Sequence, residues 1–178
     1  MKVQHIKTLM IKVVLGGESR LTRAKRYLEE FRGREAPANS IGTVLLSGDN
    51  KTKMEAMLAE AVRIANDDKY TYSQANRNAE YSYDCSSLVY RLYQEFFNIT
   101  VPTSTGVYTS QYRIGSTGSI IDLQPGDVLW RSGHVTLYIG NGLYVAAHTH
   151  YPSNPSKDIT VYEDSPSKYT YVYRFITN

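Results

Sequence analysis

The sequence predicts an α+β fold in which two helices precede an antiparallel sheet. Apolar residues recur at helical spacing over residues 54–65 and again over residues 88–96. From residue 127 to the C-terminus they alternate with polar residues instead, as in half-buried strands. Asn141-Gly142 separates two of these alternating stretches, and this dipeptide is a strong signal of a tight β-hairpin.

The predicted elements follow in chain order. Residues 9–15 alternate like a strand and residues 21–31 have helical spacing, and a turn-rich connector follows them. We expect residues 1–50 to form an N-terminal extension and residues 51–178 to form the main domain. Within the main domain we expect a helix that begins at Thr52, a second helix over 86–97, and strands over 127–130, 134–139, 143–147 and 169–176.

Composition excludes several classes of protein. The chain has 178 residues, of which 42% are hydrophobic, and a formal net charge of +3. This charge is too small for a typical nucleic-acid binder. No apolar run approaches the length of a membrane span, so we expect no membrane insertion. Lys7 and Lys12 interrupt the apolar N-terminal run, and we read no signal peptide there. The single cysteine excludes an intramolecular disulfide and any multi-thiol metal site.

Cys85 stands at the predicted start of the second helix. Unpaired N–H groups and the helix dipole favour a thiolate at such a position, and the thiolate is the nucleophilic form. Amide groups at the same helix end, including that of Ser86, could hold a developing oxyanion. The alternative is that a lone cysteine is a small buried hydrophobe.

His134 opens a predicted strand, and His148 and His150 lie at the end of the next one. Counting outward from the Asn141-Gly142 turn places His134 opposite Thr149, so that His148 and His150 point to the other face of the sheet. A one-residue slip in register would place His148 or His150 beside His134 instead. A Cys, a His and a third polar group that orients the His form a general nucleophilic arrangement.

The same histidines allow a metal site as an alternative. His-x-His on one strand is a zinc-binding pattern, and Asp127 could supply an oxygen ligand. We nevertheless expect no metal and no cofactor, because the catalytic use of His134 explains more of the pattern.

Three blocks of sequence stand out together: Tyr83-Asp84-Cys85-Ser86-Ser87-Leu88-Val89, Leu123-Gln124-Pro125-Gly126-Asp127-Val128, and Gly133-His134-Val135 followed by Tyr138-Ile139-Gly140-Asn141-Gly142. These blocks resemble the NlpC family, papain-like cysteine peptidases of bacterial cell walls. The blocks occur in the family's order, and the resemblance covers roughly residues 54–178. The resemblance implies a papain-like fold with helices packed on an antiparallel sheet and residues 51–178 as the catalytic domain.

The resemblance also assigns site residues. Cys85 resembles the nucleophile, His134 the general base, and Tyr70 the tyrosine that lines the oxyanion and substrate side. The third catalytic residue usually falls where this chain has Ala146, and we substitute His148, with His150 as the second choice. Two further departures are Ser87, where the family usually has Gly, and Ser73-Gln74, where it usually has two glycines.

The resemblance implies hydrolysis of an amide bond in peptidoglycan, by an endopeptidase or an N-acetylmuramoyl-L-alanine amidase. Without a signal peptide, it implies a phage endolysin or tail-associated lysin that is cytoplasmic until a holin releases it, or is carried on the phage particle. The alternatives are a Cys–His acyltransferase or deamidase on a non-wall substrate, and a non-catalytic wall-binding phage module. The sequence leaves the oligomeric state open.

Overall fold

A computed structural model describes residues 48–119 and 122–177. The strand and helix predicted before residue 48 lie outside this range, so the N-terminal extension stays a prediction. In the part of the chain that is described, no helix combines the length and the apolar character needed to cross a membrane.

Two helices pack against each other on one side of the domain. Helix α1 is Gly48–Ile64, and its apolar stripe, Met54, Met57, Leu58, Ala61 and Val62, is buried. The predicted start at Thr52 is wrong, because the chain is already helical at Gly48, the first described residue, and Asp49 forms an i,i+4 ion pair with Lys53 at 2.8 Å. Helix α2 is Cys85–Phe97, close to the predicted range, and it ends where Asn98 adopts a left-handed conformation.

In the described residues the large sheet contains six antiparallel strands, in chain order β3 Arg113–Ser116, β4 Val128–Arg131, β5 His134–Gly140, β6 Leu143–Ala147, β7 Ile159–Glu163 and β8 Tyr171–Tyr173. Across the sheet they lie in the order β3-β8-β4-β5-β6-β7. A separate parallel pair precedes α2 and consists of β1 Thr71–Tyr72 and β2 Ser82–Tyr83. The α+β prediction is confirmed.

The two faces of the large sheet have different partners. One face joins the helices in the main core and contributes Val128, Val135, Leu137, Ile139, Val145, Ala147, Ile159 and Val161. The other face is covered by a smaller cluster of Leu129, Tyr144, Tyr169 and Val172, with Tyr138 and Tyr162 packed against it. Strict alternation along β5 and β6 therefore places His134, Thr136 and Ala146 on the tyrosine-covered face.

Strand β7 was not predicted, although its sequence carries the signal. Ile159 and Val161 are buried while Thr160 and Tyr162 face the other way, which is the alternation that marks the predicted strands. Strand β3 has little such signal, since Gly115 interrupts its four residues and its pairing with β8 is irregular.

Candidate active site

The N-terminus of α2 is held by the side chain of Asp84. Its Oδ1 accepts hydrogen bonds from the Ser87 amide at 2.7 Å and from the Ser86 hydroxyl at 3.0 Å. The Ser87 hydroxyl accepts in return from the Asp84 amide at 2.9 Å, which completes a reciprocal capping box. Arg77 pairs with the other carboxylate oxygen at 3.0 Å, so a buried charge is neutralised directly before the cysteine. These contacts fix the position of Cys85.

Cys85 is the first residue of α2 and is 8% exposed. Burial raises the pKa of its thiol, and hydrogen bonds from the amides of Val135, Ser86 and Cys85 itself offset part of that effect. The sulfur thus lies against both the end of a helix and the beginning of β5. Helix position alone predicted a lowered thiol pKa, but removing the sulfur from water outweighs the helix-end amides.

His134 precedes Val135 in the chain, and the Val135 amide contacts the Cys85 sulfur, so the backbone at the beginning of β5 lies against the thiol. Burial is the main reason why the pKa of His134 falls to about 4, and the positive charges of His148 and Arg131 add to the effect. The imidazole of His134 is therefore neutral at neutral pH, the form that can accept a proton.

The structure places His148 beside His134. Strand β5 pairs with β6 through Gly140 opposite Leu143 and then through Tyr138 opposite Tyr144, with an irregularity between these pairs. That irregularity is a one-residue slip, and in the resulting register His134 comes opposite His148. The His148 Nε2 lies 3.0 Å from the Thr160 hydroxyl, and its ring meets the ring of Tyr162 edge to face at 4.6 Å. Burial also lowers the pKa of His148.

His150 has a different partner. Its Nδ1 lies 2.7 Å from Oδ2 of Asp158, a carboxylate that is fully buried. Asp158 also accepts from the Tyr72 amide at 2.8 Å and from the Tyr151 amide at 2.6 Å. Burial acts to raise the pKa of Asp158, but these hydrogen bonds outweigh it and lower the pKa. Asp158 therefore joins β1 to the loop after β6, and His150 belongs to this structural link.

Tyr70 is buried beside α1. Its hydroxyl accepts a hydrogen bond from Arg63 at 2.7 Å, and its ring stacks on that of Tyr83 at 5.9 Å. Its predicted role on the substrate side stays a prediction. Tyr72, two residues further on, has a pKa raised by burial and by the charges of Cys85 and Asp84, and sequence reasoning did not single it out.

The Ser86 side chain has a structural role. Its hydroxyl lies 3.0 Å from Asp84 Oδ1 and 3.0 Å from the Thr103 carbonyl, and the residue is 2% exposed. Only its backbone amide, which contacts the Cys85 sulfur, is therefore available for the predicted oxyanion role.

Asp127, the acid considered as a zinc ligand, is engaged elsewhere. Its two oxygens accept from Arg174 Nε at 2.7 Å and Nη2 at 2.8 Å, and one of them also accepts from the Gln124 amide. Within residues 48–119 and 122–177, no three His, Cys, Asp or Glu side chains are grouped as metal ligands.

The fold and the site define a class of α+β protein. Its members combine an antiparallel sheet, a buried cysteine at a helix N-terminus and a pair of histidines at one end of the sheet. The sequence profile of the NlpC/P60 family matches residues 67–171, more than half of the chain. The chain therefore belongs to the NlpC/P60 family.

One curated relative is similar in sequence. Murein DD-endopeptidase MepS/Murein LD-carboxypeptidase of Escherichia coli (strain K12) is 41% identical over 71 residues, which cover 37% of this chain and 36% of the relative. The match thus spans about a third of the relative's length.

Two solved structures share the fold. Peptidoglycan hydrolase RipB from Mycobacterium tuberculosis has a TM-score of 0.52 at 18% identity, covering 93% of this chain and 90% of its own. The NlpC/p60 domain of peptidoglycan hydrolase SagA has a TM-score of 0.50 at 18% identity, covering 68% of this chain and 98% of its own.

Proposed function

We propose that this protein hydrolyses an amide bond in the peptide part of peptidoglycan, with Cys85 as the nucleophile and His134 as the general base. The observation that carries the proposal is the contact between the Cys85 sulfur and the Val135 amide, because it joins the start of α2 to the residue after His134. Membership of the NlpC/P60 family and the names of the similar hydrolases support the substrate class.

In the first step the Cys85 sulfur attacks the carbonyl carbon of the scissile amide while its proton passes to His134. The carbonyl oxygen becomes an oxyanion, and the amides of Cys85 and Ser86 at the beginning of α2 stabilise it. The intermediate collapses with cleavage of the C–N bond, and His134 gives its proton to the leaving amine. Water then attacks the thioester, which releases a carboxylic acid and restores the thiol.

We assign His148 the role of positioning His134. The two rings stack, and the contact of His148 with Thr160 holds the second ring in place. His148 stands two positions later than the usual third residue, and the irregularity between Tyr138 and Gly140 brings it opposite His134.

The MepS similarity favours an endopeptidase that cleaves within the stem peptide over an N-acetylmuramoyl-L-alanine amidase. The site of action is then the bacterial cell wall. Carriage on a phage particle, or release by a holin, stays a prediction.

The test uses the purified 178-residue protein on isolated sacculi from species with different stem peptides. We expect falling turbidity and new free amines, both abolished in Cys85→Ala and His134→Ala. The matched control is Arg91→Gln. Arg91 is an exposed residue of α2, and this variant should keep wild-type activity. Mass spectrometry of the fragments names the bond that is cut.

Two results would overturn the proposal. Binding to sacculi without new amines would favour a non-catalytic wall-binding module. Transfer of an acyl group to an added amine, with no hydrolysis on any sacculus, would favour an acyltransferase.

A further inference from the structure

Arg131 is the last residue of β4, and it pairs directly with His134 across the two strands. Residues directly opposite each other in an antiparallel pair project their side chains to the same face. In the register of β5 and β6, His148 lies on that face as well. Arg131, His134 and His148 therefore share one corner of the sheet.

The position of the guanidinium is set by an aromatic ring. It lies over the ring of Tyr169, 5.8 Å from the centroid, and Tyr169 is itself buried in the cluster on this face. A cation held on an aromatic surface loses less conformational freedom when it binds a ligand than a freely rotating side chain does. Arg131 remains exposed to solvent.

Asp164, the acid whose charge acts on both histidines, is already engaged. The Asp164 carboxylate accepts from Lys168 at 2.6 Å and from the Ser165 amide at 2.8 Å through Oδ1, and from the Tyr169 hydroxyl at 3.1 Å through Oδ2. Among residues 48–119 and 122–177, no carboxylate forms an ion pair with Arg131. As far as the described residues extend, the exposed guanidinium beside the histidine pair thus has donors available for a ligand.

We propose that Arg131 binds a free carboxylate of the substrate peptide next to the scissile amide and so determines specificity. This inference rests on the proposed function. A guanidinium presents a fixed fork of N–H donors that matches a carboxylate, which an ammonium group does not. Stem peptides offer such groups, among them the α-carboxylate of a γ-linked glutamyl residue and the carboxylate at the C-terminus of the stem.

The test compares synthetic stem peptides in which neither, one or both of these carboxylates are converted to carboxamides. Wild-type protein, Arg131→Gln, Arg131→Lys and the control Arg91→Gln are assayed at pH 8. Arg91 also carries an exposed guanidinium over a tyrosine, Tyr83 at 5.8 Å, but it lies on α2. His134 is neutral at this pH with or without the charge of Arg131.

We expect wild-type protein to prefer the peptide with one particular carboxylate free, and the amidated arms identify which one. Arg131→Gln should lower kcat/KM on that peptide by about 10- to 100-fold, mainly through KM, because one charged hydrogen-bond partner is lost. It should cleave the amidated peptide as well as wild-type protein does, which also shows that the variant is folded. Arg131→Lys should retain part of the preference, and Arg91→Gln all of it.

The inference is overturned if wild-type protein cleaves all the peptides equally well. It is also overturned if Arg131→Gln slows every peptide by the same factor, since that is the signature of a structural role. If wild-type protein cleaves none of the peptides and no sacculus, the proposed function itself fails, which is a different result from a lost preference.

Discussion

The imidazole of His134 stacks on that of His148, with ring centroids 5.7 Å apart and planes inclined by 24°. A regular hairpin around Asn141-Gly142 would place the two rings on opposite faces of the sheet. The irregularity between Tyr138 and Gly140 inserts one additional residue into β5, which shifts the pairing and brings the two rings to the same face. One extra residue in β5 therefore decides which histidine accompanies His134.

Replacement of His148 by Ala should lower hydrolysis of sacculi by about 10- to 100-fold, because His134 loses the ring that orients it. His150→Ala should retain most of the activity, since His150 contacts Asp158 instead. Thr160→Val, which removes the hydroxyl partner of His148, should have an intermediate effect. Initial rates at equal protein concentration measure the three effects. A larger loss in His150→Ala than in His148→Ala would contradict the assignment.

The thiol of Cys85 should react slowly with iodoacetamide at neutral pH. Burial raises its pKa and lowers the pKa of His134 to about 4, so neither group is charged between about pH 5 and 8. As pH rises toward the raised thiol pKa, the thiolate fraction and the alkylation rate should increase together. As pH falls toward 4, protonation of His134 removes the base, and hydrolysis should decline there.

Alkylation rates measured by mass spectrometry from pH 4 to 10 check this prediction. A rate that is high and constant between pH 5 and 7 would show a thiolate paired with an imidazolium, contrary to the neutral pair expected here. Cys85 is the only cysteine, so the whole signal comes from the site.

Most of the fold was predictable because it depends on local periodicity. The strands from Val128 to Ala147 and helix α2 follow the alternating and helical patterns closely. The start of α1 was misplaced, since Thr52 and Glu55 resemble a capping box although the chain is already helical at Gly48. Local pattern shows that a helix exists better than it shows where the helix begins.

The site was only partly predictable, because its contacts depend on strand register and on buried partners distant in sequence. Motif spacing singles out Cys85 and His134. The link from Asp158 to the Tyr72 amide joins residues 86 positions apart, and no local pattern signals it. The position of Arg131 could not be predicted either, because it lies beside His134 only through the pairing of β4 with β5.

Asp158→Asn should destabilise the protein by about 2–4 kcal/mol, because the fully buried carboxylate accepts from two backbone amides and from His150. An Asn amide would place its own N–H groups against at least one of these donors. The matched control is Asp67→Asn, in which the carboxylate is solvent-accessible and pairs with Lys69 and Arg63. We expect a much smaller loss there. Urea unfolding at pH 7 measures both, and equal losses would contradict the structural role of Asp158.

The pH dependence of the same measurement tests the sign of the effect. The folded-state pKa of Asp158 is lowered, so its contribution to stability is present above the pKa of the unfolded chain and is lost as pH falls through the lower folded value. Wild-type protein should therefore lose more stability than Asp158→Asn as pH is lowered from 5 toward 3.

Gly126→Ala should destabilise the protein more than Gly133→Ala, although both glycines have positive φ. Gly126 has a φ of +99°, and a Cβ there would lie 2.5 Å from the buried Met54 side chain. Gly133 has a φ of +77°, and a Cβ there would have no atom within 4 Å. In each variant, backbone strain lowers the free energy of unfolding by about 1–2 kcal/mol. Gly126→Ala should lose about 1–2 kcal/mol more, because the packed methionine must move.

A double-mutant cycle separates the two causes. In a Met54→Ala background the added methyl group at residue 126 has space, so the substitution there should retain only its backbone cost. Thermal unfolding of the four proteins in the cycle gives the coupling between residues 54 and 126. If Gly126→Ala costs the same in both backgrounds, contact with Met54 is not the cause, and the strain at a φ of +99° accounts for the whole effect.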